Sequence, residues 1–166
     1  MNDFEFLNVA IKKSQESVDQ GGFPVGALVV INNEIIAEGV SNGKQLHDAT
    51  AHAEVCAIRE ASRKLGQRNL KNAIVYSSLE PCLMCFSASY WAYVSKIVYA
   101  CSKSKVSMHH YEGLHNLQEL NAKNNRQMEI IHIEELEESA LKIINDWESS
   151  LKLLKIKSVA KCPILN

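Results

Sequence analysis

The sequence predicts an α/β domain of three layers, a mixed five-stranded sheet with helices on both faces. Three observations lead there. Two strand-like runs flank Asn32-Asn33 and read as a hairpin, and after them helical and apolar segments alternate. The later strands are each separated by a helix, and such crossovers are what parallel strands require.

Residues 3–20 place Phe4, Leu7, Ala10 or Ile11, and Val18 at helical spacing, with Gly21-Gly22 as the stop. The run 25–31 is strand-like, Asn32-Asn33 tolerates the positive φ of a two-residue turn, and 34–40 returns as the second strand. A helix is expected over 51–65, with Val55, Ile58 and Leu65 on one face, Thr50 or Asp48 as N-cap and Gly66 as C-cap. Residues 73–76 suit a buried strand. Glu80-Pro81 ends it, with the proline at the first position of a helix running to about Tyr93. A strand over 96–101, a short helix over 114–120, a strand over 128–133 and a long helix from Glu134 to about Lys155 complete the order.

The length of 166 residues and 46% hydrophobic content suit one domain over 1–166 with a substantial core. A formal net charge of -1 gives no global pull toward nucleic acid or anionic membrane. No stretch approaches the roughly 18 uninterrupted apolar residues of a membrane span. Asp3 and Glu5 stand where a signal peptide would be basic, so a cytoplasmic protein without a membrane partner is expected. Five cysteines are an odd number for a disulfide framework and point to metal binding or burial.

His52-Ala53-Glu54 opens one helix and Pro81-Cys82-Leu83-Met84-Cys85 the next, with 26 residues between Glu54 and Pro81. Both helices would start at one edge of the sheet, where ligands bind in open α/β sheets. Cys82 and Cys85 share a face at a helix start, whose positive end favours thiolates. With His52 they make three ligands for Zn2+, and three protein ligands leave a fourth position for water, as in catalytic rather than structural sites. The two thiolates offset the ion's charge, and its water ionises near neutral pH. Glu54, beside the metal but not a ligand, is assigned as the proton shuttle.

This H-x-E…P-C-x-x-C pattern resembles that of the zinc-dependent cytidine/deoxycytidylate deaminase superfamily. The resemblance runs over about 4–99 and loosely to the final helix, and it implies a cytidine-deaminase-like fold. A histidine as first ligand is similar to guanine, cytosine and tRNA adenosine deaminases rather than to small cytidine deaminases. Pro24-Val25-Gly26-Ala27 looks like the family's first strand, and Asn42 matches an asparagine that hydrogen-bonds the base. His47-Asp48-Ala49-Thr50 resembles the approach to the metal histidine, with alanine where proline is usual. Tyr90-Trp91 resembles guanine deaminases, so Trp91 is a candidate wall for the base as well as a candidate core residue. Glu112 is the counterpart of an acidic residue that reads the purine, and Ala53 is expected at the substrate too. The aromatic C-terminal residue of guanine deaminases has no match in 159–166.

The resemblance implies hydrolytic release of ammonia from a nucleobase or nucleoside, a guanine-like purine first, and a homodimer. A tRNA adenosine deaminase is the second reading; against it stand the net charge and the segment after Tyr99, of whose tRNA-enzyme counterpart only the lysines are matched. A noncatalytic zinc-stabilised module is the third, and it would have no use for Glu54. The remaining features have plainer readings: Cys56 and Cys101 as buried small residues before a fourth metal ligand, and His109 and His110 in a solvated loop before a pocket role. The cluster Glu134, Glu135, Glu137 and Glu138 suits a helix start, and Lys152, Lys155, Lys157 and Lys161 a solvated helix face rather than an RNA contact.

Overall fold

Asn2 opens the first helix with a capping box, its side chain accepting from the Glu5 N–H while Glu5 reaches back to the Asn2 N–H. The computed structural model describes residues 1–113 and 115–160, with their side chains except at Met108 and 154–160. In chain order these form α1 (Asp3–Asp19), β1 (Gly26–Ile31), β2 (Glu34–Val40), α2 (Gly43–Leu46), α3 (Ala53–Leu65), β3 (Ile74–Leu79), α4 (Leu83–Trp91), β4 (Lys96–Cys101), α5 (Leu117–Ala122), β5 (Glu129–His132) and α6 (Glu137–Ala160). Single 3-10 turns fall at Lys103–Lys105, Met108–His110 and Glu134–Leu136.

The sheet order is β2-β1-β3-β4-β5. Strand β1 is antiparallel to both neighbours, whereas β3, β4 and β5 run parallel, so the sheet is mixed as expected. Asn32 and Asn33 take φ of 50° and 65°, the two positive values that a tight hairpin of matching twist needs.

The pleat assigns the helices to faces. Ala27 pairs with Gly39 on one side and Ser77 on the other, so these three side-chain positions share a face. A Cβ on Gly39 would sit 2.0 Å from the Ala53 carbonyl oxygen, which puts α3 on that face. A Cβ on Gly26, one residue before Ala27, would meet α1 at the Ala10 carbonyl oxygen, 2.4 Å away, so α1 covers the opposite face. Helix α4 packs beside α3, and α6 beside α1. Tyr76 obeys the same alternation: it turns toward α1, packs at a tilt against Phe6 and donates its hydroxyl to Asp3, while Ser77 turns toward α3.

Several boundaries differ from the sequence expectation. Helix α3 starts at Ala53 with His52 as its N-cap, because Asp48 and Thr50 spend their polar groups on a turn of their own, Asp48 Oδ1 accepting from both the N–H and hydroxyl of Thr50. Pro81 lies before α4 rather than in it: Cys82 is the N-cap, and the helix stops at Trp91 because Tyr93 takes φ of 60°. Strand β3 extends through Ser77-Ser78 to Leu79, since both serines find partners inside the fold. Asn116 caps α5, which begins later than expected; Leu114 lies outside the described residues. Helix α6 continues to Ala160; the side chains of Lys155 and Lys157 and all of Lys161 lie outside the described residues.

Candidate active site

His52 and Cys82 occupy the same position in two helices. Each is an N-cap with extended backbone, and neither side chain makes the usual capping hydrogen bond. Released from capping, both side chains turn to one point, where Cys85, buried one turn into α4, joins them. Cys82 Sγ lies 3.5 Å from His52 Nδ1 and 3.5 Å from Cys85 Sγ, and Cys85 Sγ is 3.6 Å from His52 Nδ1. A tetrahedral zinc, with bonds of about 2.3 Å to sulfur and about 2.0–2.1 Å to nitrogen, requires N···S separations of about 3.6 Å and an S···S separation of about 3.8 Å. The three side chains fit that ion in element type, number and spacing. Among the described residues they are the only such cluster.

The electrostatics suit a cation. The hydrogen bond with Cys85 and then the His52 ring pull the Cys82 thiol down to about 5 against the penalty of burial. Cys85 is pushed up, first by the negative Cys82 beside it and then by burial. Cys82 also raises His52, and a divalent ion takes the place of the protons this trio shares.

Glu54, 4% exposed, is the second residue of α3. Its Oε1 accepts from Ser77 Oγ at 3.1 Å and its Oε2 from Cys85 Sγ at 3.4 Å. Burial, and then the negative charge of Cys82, raise its carboxyl above the ordinary range.

These groups face a cavity of about 480 Å³. His52, Ala53, Glu54 and Cys82 line it, and so does Glu112, whose Oε1 accepts from the Leu83 N–H at 2.7 Å, at the positive end of α4. The other two expected substrate residues lie elsewhere. Ser41, not Asn42, lines the cavity; Asn42 caps α2, and its Oδ1 accepts from the Cys56 thiol at 3.3 Å. Trp91, expected in the wall or the core, is 74% exposed at the end of α4 and packs edge-on against Tyr90.

His109 and His110, read first as solvated and second as pocket residues, both line the cavity. Phe23, Glu80 and Tyr111 line it too and escaped the sequence reading. Glu80 is a buried node: its carboxylate accepts from the Lys103 N–H and the Ser102 hydroxyl, pairs with the Lys103 ammonium at 3.1 Å, and its carbonyl accepts from the Tyr111 hydroxyl. A charged residue ending an apolar strand was the available signal for Glu80, and two serines within an apolar run were the signal for Ser77.

The sequence model of the cytidine and deoxycytidylate deaminase zinc-binding region matches residues 1–101. The guanine deaminase of Bacillus subtilis (strain 168) is 46% identical over 101 residues, covering 60% of this chain and 65% of that protein. The tRNA-specific adenosine deaminase of Aquifex aeolicus (strain VF5) is 37% identical over 100 residues, covering 60% of this chain and 66% of that protein, so the chain matches just under two thirds of either relative. A solved structure described as a tRNA:A34 deaminase of A-to-I editing at the wobble position is similar at a TM-score of 0.72 and 26% identity, over 84% of this chain and 99% of that one. The match covers the sheet through β4 and all three metal-binding side chains, and the chain belongs to the zinc-binding cytidine and deoxycytidylate deaminase family.

Proposed function

We propose that the chain, read as one domain over 1–166, is a zinc-dependent hydrolytic deaminase of a free nucleobase or nucleoside, with a guanine-like purine as substrate. The observation that carries this reading is the buried Glu54 carboxyl beside the His52, Cys82 and Cys85 cluster, held by Ser77 and facing the cavity. Zinc, when bound there, supplies a Lewis acid that brings the ionisation of water to near neutral pH.

The chain's own residues do the rest. Hydrolytic deamination adds the oxygen of water to the amino-bearing ring carbon, breaks the bond to the amino group and releases ammonia. Two protons must move, one from water to a ring nitrogen and one to the leaving amine. Glu54 serves both transfers because burial raises its affinity for a proton above that of an ordinary carboxylate, which favours taking one up between the two steps. Ser77 holds the carboxylate in place between the two transfers. Glu112 has one oxygen on the Leu83 N–H and offers the other to ring N–H groups of the base. Ala53, with a small side chain between His52 and Glu54, leaves room for the ring.

The lining supports a free base rather than tRNA. Among the described residues it contains three glutamates and neither lysine nor arginine, the reverse of a surface that holds phosphates. The greater identity to the guanine deaminase supports the same choice. A homodimer is part of the proposal, because the exposed residues of α4, Ser87 and Trp91, and the half-exposed Met84 carry no charge. No helix among the described residues is long and apolar enough to cross a membrane, which accords with a cytoplasmic enzyme.

Ammonia release is to be measured with zinc-loaded protein on guanine, adenine, cytosine, their nucleosides and an anticodon stem-loop, with Glu54→Ala alongside. Turnover of a free base that disappears in the variant supports the proposal. Turnover of the stem-loop alone replaces it with the tRNA reading. A Glu54→Ala protein that keeps both zinc and function points to the noncatalytic module.

A further inference from the structure

The family match ends at Cys101, but His109, His110, Tyr111 and Glu112 all line the cavity. A wall built by a loop needs fastening, and each of the last three residues has its own anchor. Tyr111 donates its hydroxyl to the Glu80 carbonyl, and Glu112 accepts from the Leu83 N–H. His110 is tied to α6 instead.

Its ring packs against Trp147 with centroids 5.2 Å apart and against Phe23 at 5.3 Å, and Phe23 meets Trp147 edge-on at 5.0 Å. The three rings close a triangle of which Phe23 and His110 line the cavity and Trp147 does not. His110 Nε2 also stands 3.3 Å from Glu148 Oε1, a buried oxygen with no hydrogen-bond partner. A buried carboxylate oxygen left without a donor is costly, so the imidazole N–H and this oxygen are drawn together. Ring packing and the neighbouring carboxylate thus act on one side chain from consecutive residues of α6.

We propose that Trp147 and Glu148 are positioning residues for substrate recognition, holding His110 and the 109–112 wall against the cavity from outside it. Helix α6 thereby sets the shape of the pocket without touching the base. Recognition by this wall rests on the deaminase reading above, but the clamp itself does not.

The test has two arms, using the zinc-loaded full chain and the variants Trp147→Ala, Glu148→Gln and Trp147→Phe. Backbone amide exchange followed by mass spectrometry is expected to quicken about tenfold or more across 107–113 in Trp147→Ala and Glu148→Gln, to stay unchanged over α3, and to recover in Trp147→Phe. In the second arm, KM for guanine is expected to rise about tenfold in the first two variants with kcat within about threefold of wild type. Unchanged exchange across 107–113 overturns the clamp. Faster exchange with an unchanged KM for a base that wild type turns over overturns its role in recognition. If wild type turns over no base, the deaminase reading fails, and the exchange arm alone upholds or overturns the clamp.

Discussion

Ser77 and Glu54 meet across the sheet-to-helix layer, the serine hydroxyl donating at 3.1 Å to a carboxylate buried beside the metal-binding cluster. Glu54→Gln keeps the shape and removes the proposed proton carrier, so turnover is expected to fall by about 10²–10⁴ with zinc content unchanged. Ser77→Ala leaves the carboxylate oxygen without its donor, at about 1–3 kcal/mol of stability. A lower kcat in Ser77→Ala with intact zinc, measured beside the melting curve, separates holding the shuttle from holding the fold. A Glu54→Gln protein with wild-type turnover would remove Glu54 from the chemistry.

Cys82 and Cys85 should behave differently once zinc is stripped by a chelator. The folded protein holds the Cys82 thiol down to about 5, against an ordinary value of 9.0, so between those values it is a thiolate where an ordinary cysteine is mostly protonated. Its alkylation by iodoacetamide should therefore be fast at neutral pH and fall as the pH drops through about 5. Cys85, raised and buried, should stay unmodified until the fold opens. Peptide mapping after brief alkylation reads both residues, and added zinc should protect Cys82. The same sign governs stability: a depressed folded value contributes stability that is present above the unfolded value and lost as the pH falls through the folded one.

The metal cluster was legible because its information is local. Ligand type, the three-residue spacing of the cysteines and the glutamate two residues after the histidine all lie within short stretches. The hairpin was equally plain, since adjacent asparagines and two β-branched runs declare it. Residues that depend on long-range partners were not legible. Glu80 becomes a pocket residue only through Lys103 and Tyr111, and His110 only through Phe23 and α6. Trp91 shows the converse: residue type suggested a wall or the core, but α4 buries only Cys85, Phe86 and Ser89, so Trp91 falls on the outward side. Local propensity likewise misplaced the start of α3, because Thr50 and Asp48 bond each other in a turn of their own and leave His52 at the N-cap.

Glu112 offers a test of base choice apart from chemistry. Its carboxylate sits on the Leu83 N–H at the start of α4, close enough to the metal cluster to raise His52 after larger contributions from Cys82 and Glu54. Glu112→Gln keeps an acceptor for the Leu83 N–H and removes the negative charge. A loss of about 10- to 100-fold in kcat/KM for guanine is expected, from weakening the proposed charge-assisted hydrogen bond to the base. Zinc content and melting temperature should hardly change. Equal losses on every base tested would assign Glu112 to the metal site rather than to recognition.

Gly39 reports on how the sheet seats the site. No positive φ demands glycine there; space does, because a Cβ would lie 2.0 Å from the Ala53 carbonyl oxygen and 2.8 Å from the Ala57 nitrogen. Both are backbone atoms of α3, so no side chain can swing aside, and the first turn of the helix must move. That turn carries Ala53 and Glu54, and His52 is its N-cap. Gly39→Ala is therefore expected to cost about 1–3 kcal/mol and to weaken zinc binding as well, although residue 39 does not itself line the cavity. Competition with a chromogenic chelator measures the second effect. Loss of stability with unchanged zinc affinity would mean that the ligands are held by their loops alone, independently of where α3 sits on the sheet.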